Sequence, residues 1–393
     1  MRTVLVFAVL LLLLAGCETY ATPIALHLPT IDPDAPTLPT RTPLPPPPAP
    51  PATSAPSPTP EPSPEPAAKY YQAGLKAFGQ GRYGDALLNF TQALTLDPKN
   101  ALLYLNRAQV YLAQQDYDGA ISDFTQVIKL DPRNVVAWVS RGQAYAAAQD
   151  FENAVRDLDQ AIKLSPAEPS VYANRGRIIQ ASGDITQALE SFTRALTVDP
   201  NYAPAYYYRA LAYAADRPAQ QLGVDRRVVD DLTAVLALEP WNTDAYLARA
   251  QAYLDGGDLD KALADYNLAV VVTPDNLEPL LKRGHLYYVR RDYKAALEDY
   301  NKALEIDPQS IAALHDRGLV YIDQTQYDKA VADFTAVLQI DPLNIDALIE
   351  RAHAYDKKTN RTAASNDLKR ALALARTPTD RARVQAEIDR LQQ

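Results

Sequence analysis

Residues 277–310 read LEPLLKRGHLYYVRRDYKAALEDYNKALEIDPQS, and residues 311–344 read IAALHDRGLVYIDQTQYDKAVADFTAVLQIDPLN. Laid over one another without a gap, they agree where it matters: Arg283 over Arg317, Gly284 over Gly318, Tyr287 over Tyr321, Ala296 over Ala330, Asp299 over Asp333 and Pro308 over Pro342. A fixed period of this length marks a chain built by repetition, and that decides the fold before any helix is assigned. The same phase runs outward in both directions. Pro98, Pro132, Pro166 and Pro200 are spaced by 34 residues, as are Pro240, Pro274, Pro308 and Pro342, with one interval of 40 between the two sets.

With each Pro at position 32, nine units follow: 67–100, 101–134, 135–168, 169–202, 203–242, 243–276, 277–310, 311–344 and 345–378. Position 8 is Gly or Ala in every unit, and position 20 is Ala in all but the long one, which has Val228. Position 24 is large, as in Phe90, Phe124, Leu158, Tyr266 and Phe334, and position 11 is usually Tyr. Positions 4, 8 and 11 share one face of a first helix, and 20, 24 and 27 one face of a second. Small residues at 8 and 20 let two helices approach, while large ones at 4, 11 and 24 fill the surrounding space. A turn such as Gly183-Asp184 or Gly257-Asp258 joins the two helices. Pro at 32 disfavours helix in the residue before it and ends the second helix. Asn100, Asn134, Asn344 and Asp244 are candidate caps for first helices.

This pattern resembles the tetratricopeptide repeat (TPR) family over residues 67–378. The resemblance implies an all-α fold: a right-handed α-solenoid of about nine helix-turn-helix units, with first helices lining a concave groove. Unit nine departs from the pattern, with Arg376 where Pro is expected and Pro378 two residues on. Residues 379–393 read as a capping helix, with Val384, Ile388 and Leu391 at helical spacing.

A charged ladder runs through the repeats. Position 7 is Arg in eight units: Arg107, Arg141, Arg175, Arg209, Arg249, Arg283, Arg317 and Arg351. Position 23 is Asp in seven: Asp123, Asp157, Asp231, Asp265, Asp299, Asp333 and Asp367. Pairing within a unit makes seven pairs and leaves Arg175 facing Ser191. A planar guanidinium suits a bidentate carboxylate, and the expected role is structural, fixing helix register rather than gripping an anion.

In related arrays positions 2, 5, 9 and 12 line the groove. The resemblance places Tyr71, Leu105, Val139, Tyr207, Leu247, Leu281, His285, Tyr288, His315 and His353 there. The groove reads as mostly neutral, becoming more polar toward the C-terminus. The family's clamp for C-terminal carboxylates needs a Lys at position 5, which is missing throughout, so acidic chaperone tails are not expected ligands. An apolar, Tyr-bearing groove suits a peptide with hydrophobic anchors. The three His stand on three repeats and read as groove residues rather than as a metal site.

The N-terminal 66 residues are of another kind. Arg2 is the only charge before Cys17, and Val4 to Gly16 is an uncharged, mostly apolar run. At ~20 residues for a membrane-spanning helix, that run is short and fits a signal h-region. Leu14-Ala15-Gly16-Cys17 resembles the lipobox of bacterial lipoproteins, which implies lipidation of Cys17, residues 1–16 as signal peptide and a chain held outside the cytoplasm on a membrane. Inner and outer membrane are not distinguished. Residues 17–66 follow as a tether. Eighteen of the 31 Pro lie between Pro23 and Pro66, and Pro without an N–H supports neither helix interior nor central strand. Such a segment favours extended polyproline II and reaches on the order of 140 Å when fully extended.

Composition excludes several classes. Net charge is −9, against a nucleic-acid binder. One Cys and four His without HExxH argue against a disulfide framework and a dedicated zinc enzyme. No GxSxG, Walker A or GxGxxG motif is present, so no catalytic residue and no cofactor is expected. The reading is a membrane-anchored scaffold or adaptor for a peptide or protein partner of the cell envelope, not an enzyme and not a nucleic-acid binder. Alternatives are an accessory of polysaccharide or cell-wall machinery with a glycan-related ligand, and a purely structural surface repeat. The extra residues of the long unit, within 215–223, form a second candidate binding element.

Overall fold

The computed structural model describes residues 65–217 and 223–392. Cys17, the tether up to residue 64 and most of the insertion (Pro218 to Leu222) lie outside the described residues, whereas Glu65 and Pro66, expected at the end of the tether, begin the first helix. Among those described there are helices and no strand, so the chain is an all-α helical-repeat solenoid. It divides into two units, 1–200 and 201–393.

In the N-terminal unit the first helices are Glu65–Gly79, Ala101–Ala113, Val135–Ala147 and Pro169–Ser182. Their partners are Tyr83–Leu96, Tyr117–Leu130, Phe151–Leu164 and Ile185–Val198. In the C-terminal unit the first helices are Ala203–Ala215, Thr243–Asp255, Leu277–Val289, Ile311–Asp323 and Ile345–Lys357. Arg226–Leu238, Leu259–Val272, Tyr293–Ile306, Tyr327–Ile340 and Arg361–Leu374 follow them in turn, and Pro378–Gln392 closes the chain. From Ala101 onward each first helix begins at position 1 of its repeat.

The packing explains the period. Ala120, Ala154, Ala262, Ala296 and Ala330 at position 20 are wholly buried, and so are Phe124, Leu158, Tyr300 and Phe334 at position 24. The aromatic ring lies directly on the small residue of the first helix. A methyl built on Gly318 would stand 2.7 Å from Phe334 Cζ, and one on Gly284 would stand 2.8 Å from Tyr300 Cε1. Each pair buries only two narrow faces, so the rest of the core comes from the neighbouring repeat. Val127 and Ile128 of one repeat cluster with Ala137 of the next, and Val270 with Leu280.

The intra-repeat turn has one backbone signature in the eight repeats of 34 residues, where position 15 is left-handed. It is Gly81, Gly183 and Gly257 in three, but Gln115, Gln149, Arg291, Thr325 and Thr359 in the other five, at φ between 60° and 64°; in the long repeat Gly223, shortly before the second helix, is left-handed too. In the second repeat the next amide, Asp116 N–H, donates back to Tyr111 O at 2.9 Å, closing the end of the first helix. Position 16 then caps the second helix: Asp116, Asp150, Asp184, Asp258 and Asp292 each accept the N–H three residues on. Position 34 caps the first helices, including Asn100, Asn134, Asn242 and Asn344. Asn242, not Asp244, caps Thr243–Asp255; Asp244 lies inside the first turn.

The closing helix begins at Pro378 and buries Val384, while Ile388 and Leu391 pack on the last cluster with Leu348 and Leu368. It stands against the ninth repeat where a further first helix would.

Candidate functional site: the first-helix face

The ladder is a three-armed joint. Arg107 donates from Nε and Nη2 to Asp123 at 2.7 and 2.8 Å, and from Nη1 to Thr91 of the preceding repeat at 3.1 Å. Arg141 repeats this with Asp157 and Thr125. In the C-terminal unit Arg249 holds Asp265 and Thr233, Arg283 holds Asp299 and Asn267, Arg317 holds Asp333 and Asn301, and Arg351 holds Asp367 and Thr335. Arg209 is bidentate to Asp231. One guanidinium thus fixes the two helices of its own repeat and the second helix of the repeat before. Contact with the carboxylate raises the pKa of Arg107, Arg141 and Arg283, with burial opposing it.

Arg175 departs from expectation. It has a carboxylate, but from the preceding repeat: Nε donates to Asp159 at 2.7 Å while Nη1 donates to Ser191 at 2.8 Å. Asp159 occupies position 25, where the other repeats that precede a ladder Arg put Thr or Asn, so charge and hydroxyl have exchanged places across the joint.

Aromatic residues at 4 and 11 stand one turn either side of the Arg. Arg141 lies 4.9 Å from the Trp138 ring and 5.8 Å from Tyr145, and Arg107 lies 5.8 and 5.9 Å from Tyr104 and Tyr111. Such contacts add about 0.5–1 kcal/mol each at exposed sites. Position 4 also reaches back to the preceding repeat: Tyr104 Oη, Trp138 Nε1 and Tyr172 Oη donate to the carbonyls of Pro98, Pro132 and Pro166. All Arg forks are thereby engaged inside the array, and none projects as a ligand grip.

The predicted groove residues fall on the first helices, half-buried. In the N-terminal unit Tyr71 packs on Phe90 and Leu105 on the Phe124 cluster, while Val139 lies with Leu158. In the C-terminal unit Tyr207 and Leu247 lie in one cluster, Leu281 and Tyr288 in another. His285 is exposed beside Tyr288, with ring centroids 6.3 Å apart.

Carboxylates crowd this face in the C-terminal unit. Tyr293 Oη donates to Asp323 at 3.2 Å, and His315 Nδ1 meets Asp316 at 3.4 Å. Burial, then Asp323, pushes Tyr288 up to about 12. Tyr207 is also raised, by burial first and then by Asp244, with Glu278 contributing. His315 is raised by its contact with Asp316, helped by Glu350 and Asp346. The first-helix face of this unit therefore carries more carboxylates than the sequence reading of a mostly neutral face expects.

His353 is not an open groove residue. Its Nδ1 meets Glu350 at 3.1 Å and its Nε2 meets Glu387 of the closing helix at 2.9 Å. Burial works against its charge, but the two carboxylates prevail and its pKa is raised. His285, His315 and His353 are not gathered together; among the described residues no three His, Cys, Asp or Glu side chains form a metal-ligating group. Of the insertion, Arg217 is anchored on the carbonyl of Gly223 at 2.6 Å, and Val224 presses on Gly256 of the next repeat's turn.

Known families match this geometry. Tetratricopeptide repeat models match residues 71–135, 105–169, 278–310 and 311–344, and a further TPR repeat model matches 177–216 and 250–289. The chain belongs to the tetratricopeptide repeat family. Solved TPR structures align with it over large shares of its length. The C-terminal part of a TPR repeat-containing protein from Cytophaga hutchinsonii aligns at 16% identity and TM-score 0.49, over 63% of this chain and 98% of that one. A TPR protein from Parabacteroides merdae aligns at 17% and 0.45, over 66% and 99%. The APC/C hetero-tetramer Cut9-Hcn1 aligns at 16% and 0.45 over 75% of this chain, which spans 56% of that one. No curated protein matches the chain in sequence. The TPR fold generally mediates protein–protein interaction, and among the described residues no helix is long and apolar enough to cross a membrane.

Proposed function

We propose that this TPR protein is a lipid-anchored adaptor of the cell envelope, outside the cytoplasm, which holds a protein or peptide partner on its first-helix face. The observation that carries the reading is the row of half-buried apolar and aromatic residues on that face: Tyr71, Leu105 and Val139 in one unit, and Tyr207, Leu247, Leu281 and Tyr288 in the other. Such side chains give hydrophobic anchors a place to bury while leaving backbone partners free to run along the array. The Leu14-Ala15-Gly16-Cys17 stretch supports the anchor, and the Pro-rich segment after it supports a spacer between anchor and array. The matching of repeat models whose fold generally mediates protein–protein interaction supports a binder rather than a catalyst.

The test is affinity capture from solubilised envelope with the full chain in detergent, beside a Leu247→Ser/Tyr288→Ser copy whose melting is checked separately. The expected result is a protein retained by the native chain and lost with the folded double variant. Equal retention by both rejects the face. In the same cells, radiolabelled palmitate should enter the native chain and not Cys17→Ser; equal labelling rejects the anchor.

A further inference from the structure

The two units carry their free charge differently on their first helices. In the N-terminal unit Glu65 is the one carboxylate on the four first helices. In the C-terminal unit the first helices bring Asp244, Glu278, Asp316, Asp323, Asp346 and Glu350, among others, with Lys282 and Lys357 as the cations outside the ladder. The ladder arginines of this unit do not offset that charge, since each is already joined to a second-helix Asp. Among the described residues no Lys or Arg stands within ion-pair distance of Asp244, Glu278, Asp316 or Asp323; Asp346 alone of the six is met by an Arg, Arg383, at 2.7 Å.

These carboxylates lie near the half-buried tyrosines of the face: Asp244 and Glu278 act on Tyr207, and Asp323, which accepts from Tyr293 beside Tyr288, acts on Tyr288. A second, independent feature sits in the same place. Tyr300 is wholly buried and its hydroxyl has no hydrogen-bond partner. Its ring rises from the second helix onto Gly284, and the residue clusters with Leu281, Tyr288 and Val320 of two successive first helices, under the influence of Asp316. The corresponding residue of the next repeat is Phe334, so packing alone does not require the hydroxyl. A buried, unpaired hydroxyl is destabilising, and this one belongs to the same cluster as Leu281 and Tyr288 of the face.

We infer that the first-helix face of the C-terminal unit takes a cationic peptide segment, with Lys or Arg side chains set against these carboxylates and apolar residues between them on Leu247, Leu281 and Tyr288. This rests on the adaptor reading and specifies the chemistry of its partner. Complementary charge steers encounter and suppresses partners of the wrong sign, so the preference should be strongest at low salt.

The test uses the full chain in neutral detergent and a fluorescein-labelled twelve-residue peptide carrying leucines and lysines among glycine and serine. A copy with glutamate for each lysine is the comparison. The cationic peptide should bind at least about tenfold more tightly, with affinity falling as salt rises. Asp244→Asn/Glu278→Gln/Asp323→Asn should weaken it several-fold. A control triple on second helices, Glu152→Gln/Glu190→Gln/Glu298→Gln, changes net charge equally and should not. Equal affinity for both peptides, no binding of either, or equal loss in the two triples overturns the inference. The capture experiment above scores retention whatever the sign of charge. A partner lost with Leu247→Ser/Tyr288→Ser but kept by the face triple would therefore reject the cationic ligand and leave the adaptor reading standing.

Discussion

At the scale of single residues, the ladder makes a sharp distinction between otherwise similar arginines. Arg249 and Asp265 are both largely shielded, with side-chain exposures of 16% and 4%. Arg249→Ala strands Asp265 in the core, and breaking a buried pair this way costs roughly 3–5 kcal/mol. Arg175 holds Asp159, whose side chain is 46% exposed and finds water when the Arg is gone. Arg175→Ala should therefore cost markedly less, and thermal melts of the two variants side by side check the difference; equal losses would contradict the joint described here. His353 supplies a pH dependence. Its folded pKa is raised above 6.5 by Glu350 and Glu387, so the stability it gives is fully present below about pH 6.5 and is lost as pH rises through the folded value. Arg390, also on the closing helix, faces the same group and opposes its charge. Amide exchange in 378–392, corrected for intrinsic rates, should be slower at pH 6 than at pH 9, and His353→Gln should remove the difference. Unchanged protection across that range would show that the closing helix does not depend on this contact.

At the scale of the helix pair, the turn is the element that sequence reading saw only in part. Gly183 and Gly257 announced it where Gly was present, because a left-handed residue is most easily a Gly. Gln115, Gln149, Arg291, Thr325 and Thr359 hid the same conformation, since packing of the two flanking helices imposes it on residues that disfavour it. The β-branched Thr325 and Thr359 bear the greatest strain. Thr325→Gly should stabilise the protein by about 1 kcal/mol, the relief of left-handed strain less the added freedom of the unfolded chain. A rise in melting temperature checks this, and a fall would mean that the Thr325 side chain contributes more than its backbone costs. The Asp caps at position 16 are hard to read from sequence for a related reason: Asp next to a turn looks like ordinary loop polarity.

At the scale of the whole molecule, the period carried most of the fold. Eight prolines in phase, with small residues at 8 and 20 and large ones at 24, were enough to place both helices of every repeat, because each position has one packing duty repeated nine times. Function was less legible. Position-by-position reading finds the groove mostly neutral and more polar toward the C-terminus, without the sign of that polarity. The difference between the units emerges only when the ladder arginines are seen to be joined to second-helix Asp, which leaves Asp244, Glu278, Asp316 and Asp323 without a Lys or Arg partner among the described residues. Likewise His353 read as groove because nothing in the sequence showed that Glu387, one period further on, would cover it. The adaptor reading turns on a partner seated on the first-helix face. A photocrosslinking residue placed at the exposed His285 of a first helix, with a second strain carrying it at the exposed Val271 of a second helix, tests this in living cells. A discrete protein adduct is expected on irradiation from His285 and none from Val271. An adduct from Val271 alone, or the same adduct from both, would contradict it.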